Sequence, residues 1–282
     1  MPYEFDDAIA HADLGGGRYA ARVHDGWDIR GNANGGYLAA LVGHAMRAAS
    51  GRRDPIALAL TYLSPAAPSE VEIATQVVKR GKSYATVSAS MTAGGREIVR
   101  ALGTFGDAPD EPEATWLSAA PPELGEYEAS PRRAPGTEGF PMPLMERVVV
   151  RIHPDDVGFV KRSPTGTALV RGWFAFRDGR EIDTMALLLA CDVFPPTVFN
   201  LPGASGWVPT IQLTAYVRAV PAPGPLRCTF RSHAVQGGTF EEDGEVWDSR
   251  GVLVAQSRQL ALSPSRRDRK STRLNSSHVS ES

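Results

Sequence analysis

Apolar and polar positions alternate through most of the chain, and the alternation gives way twice to longer apolar stretches. Residues 19–27 alternate loosely and predict an opening strand; residues 56–63, 70–79, 84–91 and 97–105 predict four more. Turn signals separate these four: Ser64-Pro65, Arg80-Gly81-Lys82-Ser83 and Ala93-Gly94-Gly95. Between the first strand and the other four, the run Leu38-Ala39-Ala40-Leu41-Val42-Gly43-His44-Ala45-Met46 predicts a helix with small residues on several faces. Asn34 is its candidate N-cap, and Gly35 and Gly36 allow the backbone to approach a neighbour closely.

Residues 107–143 are dense in proline and predict a long extended connection over the surface. The plan then repeats. Residues 146–152 and 168–176 predict strands, 183–194 a central helix, and 209–219, 226–234, 244–247 and 252–261 further strands. Local wording repeats as well: Leu60-Thr61-Tyr62 is followed by Pro65 and Pro68, and Leu213-Thr214-Ala215-Tyr216 by Pro221 and Pro223. An internal duplication is the economical explanation. It sets units at 1–106 and 144–264, with 107–143 as the linker. An antiparallel sheet with long helices is an α+β pattern, unlike the alternating units of a nucleotide-binding fold.

The second helix carries the chemistry. From Met185 to Phe194 its residues are apolar on every face except at Asp192, and Pro195-Pro196 should end it. A carboxylate near a helix C-terminus opposes the macrodipole, and inside a core it must be hydrogen-bonded or neutral. It either caps a neighbouring loop or belongs to a site, and its partners decide which.

Charge and composition narrow the function. The 282 residues hold 30 basic and 32 acidic side chains, a formal net charge of −2, so the chain has no electrostatic footprint for nucleic acid or an anionic membrane. No apolar run reaches the roughly 20 residues that span a bilayer. The acidic N-terminus lacks a signal-peptide core, and two distant cysteines, Cys191 and Cys228, suit a reduced cytoplasm. The six histidines are scattered, so no metal site is expected. Gly81-Lys82-Ser83 is not a phosphate loop, because Gln76 stands where its first glycine would fall and a strand follows. No Gly-x-Ser-x-Gly elbow occurs. From Ser265 the chain is rich in Arg and Ser, and Lys270-Ser271-Thr272-Arg273-Leu274-Asn275 looks like translated vector read-through rather than part of the fold.

Asn34-Gly35-Gly36-Tyr37-Leu38-Ala39-Ala40-Leu41, the Asp192 helix, Thr210-Ile211 and Leu253-Val254-Ala255-Gln256-Ser257-Arg258-Gln259 together resemble the acyl-CoA thioesterase II group of the thioesterase-like superfamily. The resemblance runs from about residue 17 to 262. It implies a double hotdog, two tandem units each with a central helix wrapped by an antiparallel sheet. It also implies hydrolysis of acyl-CoA without metal or organic cofactor, by a water that Asp192, Thr210 and Gln259 position. Asn34, Gly35, Gly36 and Tyr37 would bind substrate, with the backbone N–H groups of Gly36 and Tyr37 as candidate oxyanion donors. Two stretches depart from the family wording: Gly35-Gly36-Tyr37 stands for Gly-Gly-Gln, and Gln212-Leu213-Thr214 for Asp-His-Ser. Taken singly, Thr210 and Gln259 read equally as an ordinary strand Thr and a solvated strand Gln. The alternatives are a hotdog enoyl-CoA hydratase or dehydratase, which pairs Asp with His at a helix start, and a catalytically silent acyl-binding protein. Edge strands left at the ends of the joined sheet predict a homodimer.

Overall fold

The computed structural model describes residues 3–204 and 206–263; the predicted tail at 265–282 lies outside them. Eleven of the long strands follow the predicted alternation, β1 being the exception. With the N-terminal strand they give β1 (His11–Gly15), β2 (Arg18–Val23), β3 (Asp54–Tyr62), β4 (Ser69–Arg80), β5 (Ala85–Ala93), β6 (Arg96–Gly106), β7 (Val148–Ile152), β8 (Leu169–Phe176), β9 (Thr210–Val217), β10 (Leu226–Arg231), β11 (Thr239–Trp247) and β12 (Leu253–Leu262). A two-residue strand, Val235–Gln236, pairs with β11. All join one antiparallel sheet in the order β1-β2-β4-β5-β6-β3-β9-β12-β11-β10-β8-β7.

That order is the same from the centre outward in both directions. On one side the strands run third, sixth, fifth, fourth, second and first of the six in the N-terminal half; the C-terminal half repeats this. The halves meet where β3 pairs with β9, and there Leu60 lies opposite Leu213. The two repeated phrases of the sequence face one another at the seam.

Two differences from expectation matter. Glu4–Ala8 forms a short helix, α1, that the alternation did not signal. The two main helices are also unequal. α2, Gly35–Ser50, has 16 residues, begins with Asn34 Oδ1 accepting the Tyr37 N–H at 3.0 Å, and ends at Gly51 with φ of +65°. α3, expected over 183–194, is regular only over Ala186–Ala190, five residues, all buried. Asp183 Oδ1 accepts the Ala186 N–H at 2.8 Å to start it. At the other end the Asp192 N–H bonds Leu189 O at 3.1 Å, the tighter three-residue spacing of a final turn. Pro195 and Pro196 then bar continuation.

α2 and α3 pack against each other through glycine. A Cβ on Gly36 would lie 2.8 Å from Leu189 O and 2.9 Å from Leu188 O, and one on Gly43, two turns later, 3.0 Å from Leu188 Cδ1. The linker does more than cross the surface. Arg133 N–H bonds Val150 O at 2.8 Å, so the segment runs along the edge strand β7.

Candidate active site

Asp192 sits just past the C-terminus of α3, facing the N-terminus of α2 from the other half. Its Oδ2 accepts the Gly36 N–H at 2.9 Å and the Asn34 Nδ2 amide at 3.0 Å; the same amide nitrogen lies 3.0 Å from Asp192 O. The carboxylate is opposed by its own short helix but favoured by the positive end of a 16-residue one. Burial raises its pKa to about 6, while the Gly36 N–H, the Asn34 amide and the Gly35 N–H pull it down. Among the described residues, the hydrogen bonds from Asn34 and Gly36 to the carboxylate both end on Oδ2, which leaves Oδ1 open as an acceptor. Tyr62, from β3, donates its hydroxyl to Gly35 O at 2.7 Å and fixes the first peptide of the helix.

The facing wall is a row across three strands. Thr210 on β9 donates to Gln259 Oε1 on β12 at 3.2 Å, and Gln259 Nε2 donates to Glu242 Oε1 on β11 at 2.9 Å. Gln259 and Glu242 are direct cross-strand partners. Thr210 reaches them through a bulge. Leu213, Ala215 and Val217 point into the core, and by strict alternation Thr210 would point away from it. The pairing slips between Thr210 and Gln212, with Ile211 the extra residue, and turns the hydroxyl back to the inner face. Glu242 Oε2 accepts the Thr197 N–H at 2.7 Å. Burial, reinforced by the charge of Asp192, raises the Glu242 pKa to about 7.

Asn34, Gly35, Asp192, Thr210 and Gln259 line one cavity of about 250 Å³. Within it they form two groups, the Asp192–Asn34–Gly36 cluster and the Thr210–Gln259–Glu242 row. Tyr37 belongs to neither. Its ring is fully buried and stacks on Trp27 at 5.4 Å, and its hydroxyl donates to Ala8 O at 3.0 Å. The two backbone donors expected for an oxyanion already have protein acceptors: the Gly36 N–H is held by Asp192 and the Tyr37 N–H by Asn34. Glu242 is the residue the sequence reading missed. Among the described residues no cluster of His, Cys, Asp and Glu has the arrangement of a metal site, and the cavity lining contains no histidine.

This geometry can be set beside known proteins. The chain is similar to a crystal structure from Thermobifida fusca YX provisionally named a thioesterase II, with 32% identity, coverage of 94% of this chain and 99% of that one, and a TM-score of 0.86. A protein of unknown function with a hot dog fold from Alicyclobacillus acidocaldarius superposes with a TM-score of 0.83 at 24% identity, again over 94% and 99% of the two chains. An uncharacterised protein of Mycobacterium tuberculosis strain H37Rv is 28% identical over 281 residues, covering 91% of this chain and 96% of its own. Residues 23–106 match the family described as the acyl-CoA thioesterase N-terminal domain, and 108–263 match the acyl-CoA thioesterase C-terminal domain. With the two matches together spanning Asn34, Asp192, Thr210 and Gln259, the chain belongs to the acyl-CoA thioesterase family.

Proposed function

We propose that the protein hydrolyses acyl-CoA thioesters with a water held between Asp192 and Thr210. The observation that carries this reading is the free Asp192 Oδ1 in the same cavity as a Thr210 hydroxyl whose proton is committed to Gln259. A water there donates one hydrogen to Oδ1 and the other to Thr210 Oγ1, leaving an oxygen lone pair directed at a thioester carbonyl. Such a carbonyl is already activated, so placing the water contributes more than a strong nucleophile would. Asp192 takes the proton as general base and returns it to the departing thiolate. On protonation it holds the Gly36 N–H and the Asn34 amide less strongly. Those donors then become available to the oxygen on which charge develops.

Glu242 and Gln259 act on the water only through Thr210. Because Gln259 Nε2 is committed to Glu242, its carbonyl must face Thr210, which fixes the direction in which that hydroxyl points. A hydratase or dehydratase would need a histidine beside the aspartate, and the lining supplies none.

The same reading makes the units 1–106 and 144–264 tandem hotdogs joined by 107–143, places the enzyme in the cytoplasm with its CoA substrates, and pairs two copies through the sheet edge at β1, since the linker covers β7. The test is thiol release from a panel of acyl-CoAs of increasing chain length by the purified protein, with crotonyl-CoA as the hydration control. Release of CoA supports the hydrolase, hydration without release supports the dehydratase, and binding without turnover makes the protein a silent acyl carrier. Light scattering that shows only monomer would remove the pairing.

A further inference from the structure

The Asp192 cavity shares Arg133, Phe140, Phe199 and Gly206 with a second cavity of about 1250 Å³. The second cavity has an unusual charge balance for a chain of net charge −2: Arg132, Arg133, Lys161 and Arg162 line it, with no Asp or Glu among the lining residues. Arg132 is engaged, its Nη2 donating to Met145 O at 2.8 Å. Arg133 is not. Among the described residues its Nη1 is buried without a hydrogen-bond partner, and its Nη2 reaches only the Met142 sulfur at 3.2 Å.

A guanidinium is planar, holds its charge, and presents paired donors that match an oxyanion. Burial lowers the Arg133 pKa to about 10, which still leaves it charged at neutral pH. A buried charge without a partner destabilises a fold, so its place here calls for a ligand to complete it. The apolar walls supplied by Phe159, Phe199 and Leu201 strengthen any such ion pair by excluding water.

We propose that Arg133 binds an oxyanion carried by the thioester substrate, with the second cavity receiving the end of the molecule that bears it. The oxyanion is either a phosphate of the nucleotide thiol carrier or a carboxylate on the acyl group. The inference rests on the thioester reading above. It adds a linker residue to substrate recognition and gives the two-cavity arrangement a chemical purpose.

Three thioesters separate the sources: butyryl-CoA carries the phosphates, glutaryl-CoA adds a carboxylate, and butyryl-N-acetylcysteamine has neither. The wild type is compared with Arg133→Met and with Arg133→Lys, which keeps the charge but loses the fork. If phosphate is the ligand, Arg133→Met lowers kcat/KM for both CoA thioesters by about tenfold or more relative to the truncated one, the loss expected for a charged hydrogen bond. If carboxylate is the ligand, only glutaryl-CoA suffers that relative loss. In either case Arg133→Lys falls between wild type and Arg133→Met. The melting temperature of Arg133→Met stays level or rises, because an unpaired buried charge has been removed. Equal losses on all three substrates, or none on any, would overturn the proposal. Should the wild type hydrolyse none of them, the thioester reading fails, and calorimetric titration with adenosine 3′,5′-bisphosphate and with glutarate judges Arg133 separately. Binding of either that Arg133→Met abolishes keeps the anion site; no binding, or equal binding by both proteins, removes it.

Discussion

The same row of the sheet occurs in both halves with opposite chemistry. Counting outward from the seam, the C-terminal half reads Leu213, Gln259, Glu242 across β9, β12 and β11. The N-terminal half reads Leu60, Ala101, Ala89 across β3, β6 and β5. All six positions are buried. The difference follows the helices. α2 runs 16 residues and packs on β3, β4, β5 and β6, so the row beneath it must be small and apolar. α3 stops after five residues at Ala190, just short of Asp192, and the space beyond it is the cavity that Gln259 of the polar row lines. A short helix in one half gives that half room for chemistry; a long helix in the other supplies the N-terminus that holds the carboxylate.

The sharpest break of this comparison is Asp192→Asn. It keeps the size and an acceptor oxygen but loses the base, and should lower kcat by about 10²–10⁴-fold. The melting temperature at pH 8 should not fall, since the variant no longer buries a charge. A stable variant with near-normal thiol release would end the proposed mechanism.

Making the apolar row resemble the polar one should damage the fold instead. Ala101→Gln places an amide under α2 with no partner, and a loss of about 1–3 kcal/mol in denaturant unfolding is expected. A neutral result would mean that the first half also has polar space beneath its helix.

Glu242→Gln should have a smaller effect on turnover. Glu242 accepts from both Thr197 N–H and Gln259 Nε2 through separate oxygens, and a glutamine has only one acceptor for the two donors. Gln259 is then free to turn, and kcat should fall about tenfold with KM little changed, within the range for a positioned water. Loss confined to KM would assign Glu242 to substrate binding.

The smallest effect expected is on the pH dependence of stability. Burial raises the Asp192 and Glu242 pKa values to about 6 and about 7, from ordinary values of 3.8 and 4.5. The folded chain therefore keeps protons that the unfolded chain has released, and their contribution is greatest below pH 4 and fades as pH rises through 6 and 7. Melting temperatures measured from pH 4.5 to 7.5 should show a shallower decline in Glu242→Gln than in wild type. For the same reason kcat/KM of the wild type should rise up to about pH 6 and then level off as Asp192 ionises.

Much of this was readable in the sequence because the sheet is regular. Alternation located the eleven long strands from Arg18 onward, and the repeated Leu-Thr phrases marked strands that pair at the seam. Asp192 stood out as the one charge in an apolar run. Other features were hidden for local reasons. The start of β11 carries Glu241, Glu242 and Asp243, which look like an acidic turn, and the strand was placed at 244–247. Only the parity shared by Phe240, Glu242, Gly244 and Val246 shows that Glu242 faces inward. Arg133 was hidden by a proline-rich stretch read as surface. The Thr210 bulge could not be read at all, because it depends on the register of a partner strand.

The joint between Asp192 and Gly36 has a consequence for biosynthesis. These residues are 156 positions apart, and each belongs to a different half. During synthesis α2 emerges first and exposes its N-terminal amides, with no carboxylate to receive until the second half has folded onto it. A nascent or truncated chain therefore carries half of the proposed reactive centre, which is the same as none. After cleavage between the halves, hydrolysis should disappear as soon as they drift apart, well before the strands of either half melt, so activity would serve as a sensor of their docking.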